Sequence, residues 1–234
     1  MSKPVACTAI IAALPREVAA LVKGWGRRPV GHDIAARNVF VWTRSDAVVA
    51  VAGMGAARVA LACEAAIAAA PVTRLISAGL AGACDPALRV GDILRASVVI
   101  DAKTGERFEA TGSDKSAVVV TGAAIASVRE KMRLREAYGA AAVEMEAATV
   151  ARIAQAHGLA FRAVKAISDE AGFAMEGLER FATSDGQFRE GAFAVHAALR
   201  PRMWGPVMAL GRNSARAIHA LTGTLTEALR TEID

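Results

Sequence analysis

The sequence has few aromatic residues, few cysteines and no long uncharged segment, and each shortage excludes a class of protein. Only 5% of residues are aromatic, and no stretch interleaves them with Lys or Arg as single-stranded nucleic-acid binders do. Cys7, Cys63 and Cys84 lie far apart among Ala, Val and Ile, without metal-site spacing, which predicts reduced core thiols. No uncharged run reaches the ~20 residues of a membrane span. We therefore expect a cytoplasmic protein without a metal ion or other cofactor.

The basic residues are spread along the chain, although their excess prompts a check for nucleic-acid binding. The formal net charge is +5 and the isoelectric point about 9.5. The densest basic run, REKMRLREAYG at 129–139, contains its own acids and is typical of a solvated helix face. We expect no nucleic-acid partner. A mildly basic surface instead favours contact with an anionic lipid or substrate.

The start of the chain, MSKPVACTAIIAALPREVAAL, allows two interpretations. One lysine followed by mostly apolar residues imitates a signal peptide. The same run is typical of a buried strand that turns at Pro15 into a helix. We favour the strand, because the pattern continues without interruption into the rest of the domain.

Short apolar runs alternate with helical patterns as far as about residue 172. Runs such as VACTAIIAAL, DAVVAVAGM, GDILRASVVID and AFRAVKAISD predict strands, and REVAALVKGW and AARVALACEAAIAAA predict helices. The alternation predicts an α/β fold, a three-layer α/β/α sandwich around a mixed, mostly parallel sheet. Residues 173–234 show a helical pattern, in which Thr183 or Ser184 is a candidate cap for GQFREGAFAVHAAL and Pro201 breaks it. We expect one domain over residues 1–234 with a helical C-terminal extension.

Four carboxylates stand where predicted strands end. Glu17 follows the first strand, Glu144 and Glu146 close AAAVEM, and Asp169 closes AFRAVKAISD. The carboxyl ends of parallel strands meet at one edge of a sheet, where ligands bind in open α/β folds. Because ionised carboxylates are costly to bury without partners, this convergence predicts a functional site.

Two glycine-rich turns, AGMGAAR and SAGLAGA, allow the backbone to approach a ligand closely. Neither is a complete dinucleotide fingerprint, and neither follows the first strand, which leads into LPREV instead. A nicotinamide-dependent oxidoreductase is therefore disfavoured.

Four segments occur in a characteristic order: IIAALPREVAAL, AGMGAARVAL, ISAGLAGACDPALRVGDIL and VEMEAATVARIAQAHGLAFRAVKAISD. Together they resemble the purine and uridine phosphorylase superfamily, and within it the methylthioadenosine/S-adenosylhomocysteine nucleosidases. The resemblance extends over roughly residues 5–171 and depends most on VGDI, VEMEA and AISD. It implies a nucleoside phosphorylase type of fold, N-glycosidase activity on a purine nucleoside, no metal ion and a homodimer.

The resemblance also implies roles for individual residues. Asp169 would protonate or hydrogen-bond N7 of the purine, and Glu17 would orient and activate water. Glu146 would bind the ribose hydroxyls, with Met145 packed against the sugar. Glu144 would orient Glu146 or cap the following helix. The remaining substrate-contacting positions implied are Ser168, Ala78, Gly79, Leu80 and Ile125.

Simpler explanations exist for several of these residues. Glu17 also suits the first turn of a helix, where the helix dipole favours an acid. Asp169 also suits a turn after a strand, and Met145 a hydrophobic core. His157, next to Gly158, is typical of a helix C-terminus rather than of catalysis.

The phosphate-binding motifs of the phosphorylase branch are missing. That branch has Gly-Asp-Pro-x-x-Arg after the first strand and Arg-x-Gly-Ser in the central turn, where this chain has LPREV and SAGLA. Ser77 and Leu80 replace the second arginine and the serine, and Arg16 and Arg58 remain as possible anion ligands. The sequence predicts hydrolysis, with phosphorolysis as the alternative.

Two departures from the ordinary nucleosidases bear on the substrate. The segment from VGDI to VVTG is short, and Ile125 or a neighbour replaces the Phe that stacks on the purine. The tail PRMWGPVMALGRNSARAIHAL combines Arg202, Arg212 and Arg216 with Trp204, Met208 and Leu210, typical of an interfacial helix. Both features resemble the hopanoid-associated phosphorylase branch, which implies a bulky apolar 5′ group and peripheral contact with the inner membrane. The tail equally suits packing on the sheet or in a dimer.

Two non-catalytic alternatives for the whole protein are a nucleoside-binding sensor and a lipid-surface module.

Overall fold

A computed structural model describes residues 7–28, 38–113, 117–174 and 201–231. Within these residues, eleven strands form one mixed sheet with five helices, which confirms the predicted α/β architecture. The strands are β1 Cys7–Ala12, β2 Gly26–Arg28, β3 Phe40–Thr43, β4 Ala47–Val51, β5 Val72–Ala83, β6 Ile93–Arg95, β7 Val98–Asp101, β8 Arg107–Glu109, β9 Val118–Thr121, β10 Ala142–Glu144 and β11 Ala160–Asp169. The helices are α1 Pro15–Val18, α2 Ala56–Ala69, α3 Val128–Tyr138, α4 Ala147–Ala156 and α5 Pro201–Thr231.

The long strand β5 is the centre of the sheet. It pairs in parallel with β1 and β11, while its carboxyl end, at Gly82 and Ala83, pairs with the antiparallel β10. On one side the order continues through β1, β4, β3 and β2, and on the other through β10, β9, β7 and β8. The carboxyl ends of β1, β5 and β11 therefore lie next to one another, as the strand pattern predicted.

Continuous apolar sequence explains the central strands. Every residue of β1 (CTAIIA) and of β4 (AVVAV) is buried, as expected where helices cover both faces of a sheet. Helices α2 and α4 pack on one face through a core that includes Val59, Cys63 and Val150. The three cysteines are buried free thiols, as predicted.

Helix α5 covers the other face. Its buried residues Ala217, Leu221, Leu225 and Leu229 recur at every fourth position and pack with Ile10, Val49 and other strand residues. This half of the tail therefore packs on its own sheet, one of the two alternatives for the extension. Within the described residues, no helix is both long enough and apolar enough to cross a membrane.

The structure differs from the sequence prediction mainly at element ends. REVAALVKGW forms only the single helical turn α1 before the chain turns away, and GDILRASVVID divides into β6 and β7. Pro201 is the first residue of α5, which suits a residue without an N–H at the first helical position. The segment GQFREGAFAVHAAL, which Pro201 was predicted to end, lies outside the described residues. The short strands β2 and β8 were not predicted. The proposed caps Thr183 and Ser184 lie outside the described residues.

Candidate active site

A cavity of about 550 Å³ opens at the carboxyl ends of the central strands, and α5 forms part of its wall. All four predicted carboxylates line it, and all are at least nine-tenths buried: Glu17, Glu144, Glu146 and Asp169. The structure therefore brings together acids that lie up to 152 residues apart in the sequence, counting from Glu17 to Asp169. The four carboxylates have different hydrogen-bond partners and are therefore suited to different chemical roles.

Glu17 is held by the backbone immediately before it. Its Oε2 accepts hydrogen bonds from the N–H of Ala13 at 3.1 Å and of Leu14 at 2.9 Å. Burial raises the pKa of Glu17, and the Leu14 amide and the charge of Lys165 partly oppose that rise. A carboxylate of raised pKa is a stronger base than an exposed one, so Glu17 is suited to accepting a proton.

Glu144 serves as the cap of α4. Its carboxylate accepts hydrogen bonds from Thr121 Oγ1 at 2.6 Å, Glu146 N at 3.1 Å and Ala147 N at 2.9 Å. Its Oε2 also pairs with Lys165 Nζ at 2.7 Å. Because four donors already satisfy these oxygens, the carboxylate is best suited to holding the start of α4 in place.

Glu146 has fewer partners. Its Oε1 accepts a hydrogen bond from Gly55 N at 2.9 Å, and Oε2 accepts a longer one from Met145 N at 3.3 Å. Burial, followed by the charge of Glu144, raises the pKa of Glu146 to about 7. This carboxylate retains acceptor capacity toward the cavity and changes charge near neutral pH.

Asp169 ends β11 beside Lys131, a lysine that the sequence pattern predicted to be exposed. Ser168 Oγ donates to Asp169 Oδ1 at 2.7 Å, and Lys131 Nζ forms an ion pair with Oδ2. The expectation that 129–139 is a solvated helix face was wrong at Lys131, which is only 2% exposed. A Cβ at Gly82 would lie 2.8 Å from Asp169 Oδ2 and 2.9 Å from Lys131 Cε, so any larger residue there would force the ion pair to move.

Lys165 is a second buried cation that sequence reasoning missed. It lies in β11 at 1% exposure, pairs with Glu144 and donates to Ser77 Oγ at 2.9 Å. A lone lysine inside the apolar run AVKAIS was the available signal, because a lysine is almost never fully buried without a partner. Lys165 offsets the cost of placing acids in this part of the sheet.

The other predicted positions divide into two groups. Met145, Ser168, Leu80 and Ile125 line the cavity, and so does the exposed Arg16. The structure corrects the assignment for Ala78, whose methyl group packs in the core between the sheet and α5 because its register position faces that helix.

Gly79 and Arg58 are also not among the residues that line the cavity. Gly79 lies under Glu17, where an added Cβ would be 3.6 Å from either carboxylate oxygen. Arg58 Nε donates to the carbonyl of Ala52 at 2.5 Å. His157 caps the C-terminus of α4, as expected from its position beside Gly158.

Helix α5 contributes residues that no sequence signal assigned to the site. Leu210, Ala215 and Ile218 line the cavity together with Gly211 and Ser214. Among the described residues, no group of His, Cys, Asp or Glu side chains is arranged to hold a metal ion.

The sequence of this chain matches a known protein family over most of its length. A sequence model of the Phosphorylase superfamily matches residues 8–116 and 113–200. A search of curated proteins finds no match. The two matched segments together extend over more than half of the chain and include all four carboxylates.

Solved nucleosidase structures have the same fold. The 5′-methylthioadenosine/S-adenosylhomocysteine nucleosidase of Helicobacter pylori is 18% identical, with 98% of this chain and 100% of that chain covered and a TM-score of 0.70. Futalosine hydrolase of the same organism is 18% identical over 97% and 98% of the two chains, with a TM-score of 0.70. The 5′-methylthioadenosine nucleosidase of Arabidopsis thaliana is 17% identical over 98% and 97%, with a TM-score of 0.72. These likenesses show a shared fold.

Proposed function

Because this chain belongs to the phosphorylase superfamily, we propose that it is a metal-independent purine nucleosidase, which hydrolyses the N-glycosidic bond of a 5′-substituted adenosine and releases adenine. The observation that carries the proposal is the cavity where Glu17, Glu146 and Asp169 converge with different hydrogen-bond partners. The similar Helicobacter and Arabidopsis structures are nucleosidases by name, which supports this reaction class.

Each acid has a separate task in this reaction. Asp169 hydrogen-bonds N7 of adenine and delivers a proton as the C1′–N9 bond lengthens, so that the base leaves neutral. Glu146 accepts hydrogen bonds from the ribose hydroxyls, with Met145 beside the sugar. Glu17 removes a proton from the water that attacks C1′ of the oxocarbenium-like sugar.

The charges and donors around Glu17 favour water over phosphate as the nucleophile. The backbone N–H groups of Ala13 and Leu14 already bind the Glu17 carboxylate, so they are not open to an anion. Among the described residues that line the cavity, four are acids and two are bases, Arg16 and Lys131. Because Lys131 is already paired with Asp169, a phosphate dianion would find little positive charge there, which disfavours the alternative of phosphorolysis.

Adenine release tests the proposal. The chain is incubated with 5′-methylthioadenosine, S-adenosylhomocysteine and longer 5′-alkylthioadenosines, and the products are separated by chromatography. We expect adenine from at least one of these substrates without added phosphate. Binding of the nucleosides without any adenine release would instead support the non-catalytic nucleoside-binding protein.

Substrate affinity is expected to depend on the charge of Glu146. The pKa of Glu146 is about 7, and the ionised form accepts the stronger hydrogen bonds from ribose hydroxyls. The dissociation constant of a non-cleavable 5′-thioadenosine analogue should therefore rise by up to about tenfold per pH unit below the pKa, and level off above it.

Calorimetric titrations between about pH 5.5 and about pH 8.5 measure this dependence. Glu146→Gln, which has no ionisable group, should bind weakly and with a flat profile. An unmodified chain whose affinity is constant over that interval would contradict the assignment of Glu146 to the ribose.

We propose an apolar 5′ substituent, because α5 lines the cavity with Leu210, Ala215 and Ile218. Each methylene that enters an apolar site contributes about 0.8 kcal/mol, or about fourfold in kcat/KM. We expect kcat/KM to rise along a series from methylthio- to butylthioadenosine. Leu210→Asn should flatten that rise, while Glu227→Gln, an exposed change on the same helix, should not. Equal kcat/KM values across the series for the unmodified chain would contradict the apolar subsite.

The finer proposal is a polycyclic lipid substituent, as in adenosylhopane, presented at a membrane surface. Met208 is 62% exposed and Arg212 is exposed on α5, close in sequence to cavity residue Leu210. Arg216 instead lies along Gly91, where an added Cβ would be 3.4 Å from its side chain, and the side chains of Arg202 and Trp204 lie outside the described residues. We propose that the enzyme acts in the cytoplasm and that it contacts the inner membrane when its substrate is a lipid.

Flotation with anionic liposomes tests the membrane contact. We expect salt-sensitive binding that weakens in Arg212→Glu, because each basic residue near an anionic surface adds about 1 kcal/mol. Failure to float, together with best turnover of small thionucleosides, would leave an ordinary methylthioadenosine-type nucleosidase.

A further inference from the structure

The ion pair between Lys131 and Asp169 is unusual in its burial and its place. Lys131 projects from α3 and Asp169 ends β11, and their exposures are 2% and 3%. Lys131 Nζ also donates to the carbonyl of Glu170 at 3.0 Å. Both residues line the catalytic cavity, so a ligand there meets the pair as a unit.

This pairing raises a chemical question about the departing base. An adenine anion is a poor leaving group unless N7 receives a proton, and an ionised Asp169 carboxylate has none to give. The Lys131 ammonium that contacts this carboxylate carries three protons. The pair as a whole therefore contains the proton that the carboxylate alone lacks.

We propose that Lys131 is the proton source for the leaving base, with Asp169 as the relay. As the C1′–N9 bond breaks, its electron pair moves into the purine, and N7 takes a proton from Asp169. Asp169 takes a proton from Lys131, which becomes a neutral amine. When the water oxygen bonds to C1′, its proton passes to Glu17 and then to solvent, and the amine regains a proton from solvent.

The surroundings favour a proton moving within this pair. Ser168 Oγ donates to Asp169 Oδ1 on the side away from the Lys131 contact, and therefore holds the carboxylate plane in position. The charges of Lys131 and Asp169 also act on Cys84, whose pKa burial raises to about 11, so this thiol stays neutral. Glu130 and Arg135 of α3 also act electrostatically on Cys84, with opposite signs.

The test compares two leaving groups in Lys131→Arg. Arginine retains the cation and its pairing with Asp169, but its guanidinium does not release a proton in proteins. Release of adenine from 5′-methylthioadenosine should fall by about 100-fold or more, the usual size of a general-acid effect. Cleavage of the matched 5′-methylthio 4-nitrophenyl riboside should change by less than about threefold, because nitrophenolate leaves without a proton.

Thermal unfolding and circular dichroism establish that Lys131→Arg folds. A second variant, Lys131→Met, provides an independent test. Without its cation, buried Asp169 favours the neutral acid, which itself carries a proton. The ratio of adenine release to nitrophenolate release by Lys131→Met should therefore be low at neutral pH and rise as the pH falls, because cleavage of both substrates depends in the same way on Glu17 and Glu146. Equal losses on both substrates in Lys131→Arg, or no loss on either, would overturn the inference, as would a Lys131→Met ratio that does not rise at low pH.

The inference rests on the proposed nucleosidase function, and the two fail separately. If the unmodified chain releases no adenine from any 5′-substituted adenosine, the nucleosidase proposal fails. If the unmodified chain releases adenine and Lys131→Arg does so at the same rate, only the assignment of Lys131 fails.

Discussion

We expect Asp169→Asn to lower adenine release by about 100-fold or more while the fold remains intact. Asparagine keeps the shape of the side chain and its contact with Ser168, but it neither carries a proton to N7 nor pairs with Lys131. The loss should appear in kcat rather than in KM, because the proton is needed as the bond breaks. Single-turnover measurements with a saturating 5′-thioadenosine give the rate of adenine release in the variant and in the unmodified chain.

A buried lysine left without its partner is itself destabilising, by about 3–5 kcal/mol. The double variant Lys131→Met/Asp169→Asn removes both charges and should therefore unfold at a higher temperature than Asp169→Asn alone, yet remain inactive. Near-normal turnover in a folded Asp169→Asn would eliminate the assigned role.

Glu17→Gln should abolish hydrolysis while nucleoside binding remains largely unchanged. The amide oxygen of the substituted side chain can still accept a hydrogen bond from the N–H of Leu14, so the local backbone is preserved. The variant loses the base, whose raised pKa in the unmodified chain suits it to deprotonating water. Calorimetry with a non-cleavable analogue measures the binding, and a sensitive adenine assay measures the residual turnover.

Glu136→Gln, an exposed change on α3 outside the cavity, is the matched control and should behave as the unmodified chain does. Unchanged hydrolysis in Glu17→Gln would show that another group activates the water. A 5-substituted ribose 1-phosphate as the main product of the unmodified chain would refute the hydrolytic assignment and make Arg16 the leading anion ligand.

Much of the fold was accessible from the sequence because central strands and covering helices leave different patterns. CTAIIA and AVVAV are buried on both faces, so an uninterrupted apolar run was sufficient to predict β1 and β4. The convergence of Glu17 and Asp169 could also be predicted, because both residues lie where parallel strands end and those ends meet at one edge of the sheet. Three-residue strands such as β2 and β8 are too short to show a periodicity.

Ion pairs between elements that are distant in the sequence could not be predicted from the sequence pattern. Lys131 lies among arginines and glutamates that are mostly exposed, and only the packing of α3 against the end of β11 distinguishes it from them. The tail posed a similar problem, because its amphipathic pattern fits a sheet as well as a membrane. Only the structure shows that Leu221 and Leu225 face the core, while Leu210 faces the cavity.

The most direct test of the central claim is the fate of the sugar when cleavage occurs in oxygen-18 water with phosphate present. The chain and a 5′-alkylthioadenosine are incubated, and adenine and the sugar product are identified by mass spectrometry. We predict adenine together with a free 5′-alkylthioribose that carries one heavy oxygen at C1, at a rate that phosphate does not raise. A sugar 1-phosphate without the label, formed only when phosphate is added, would contradict the account.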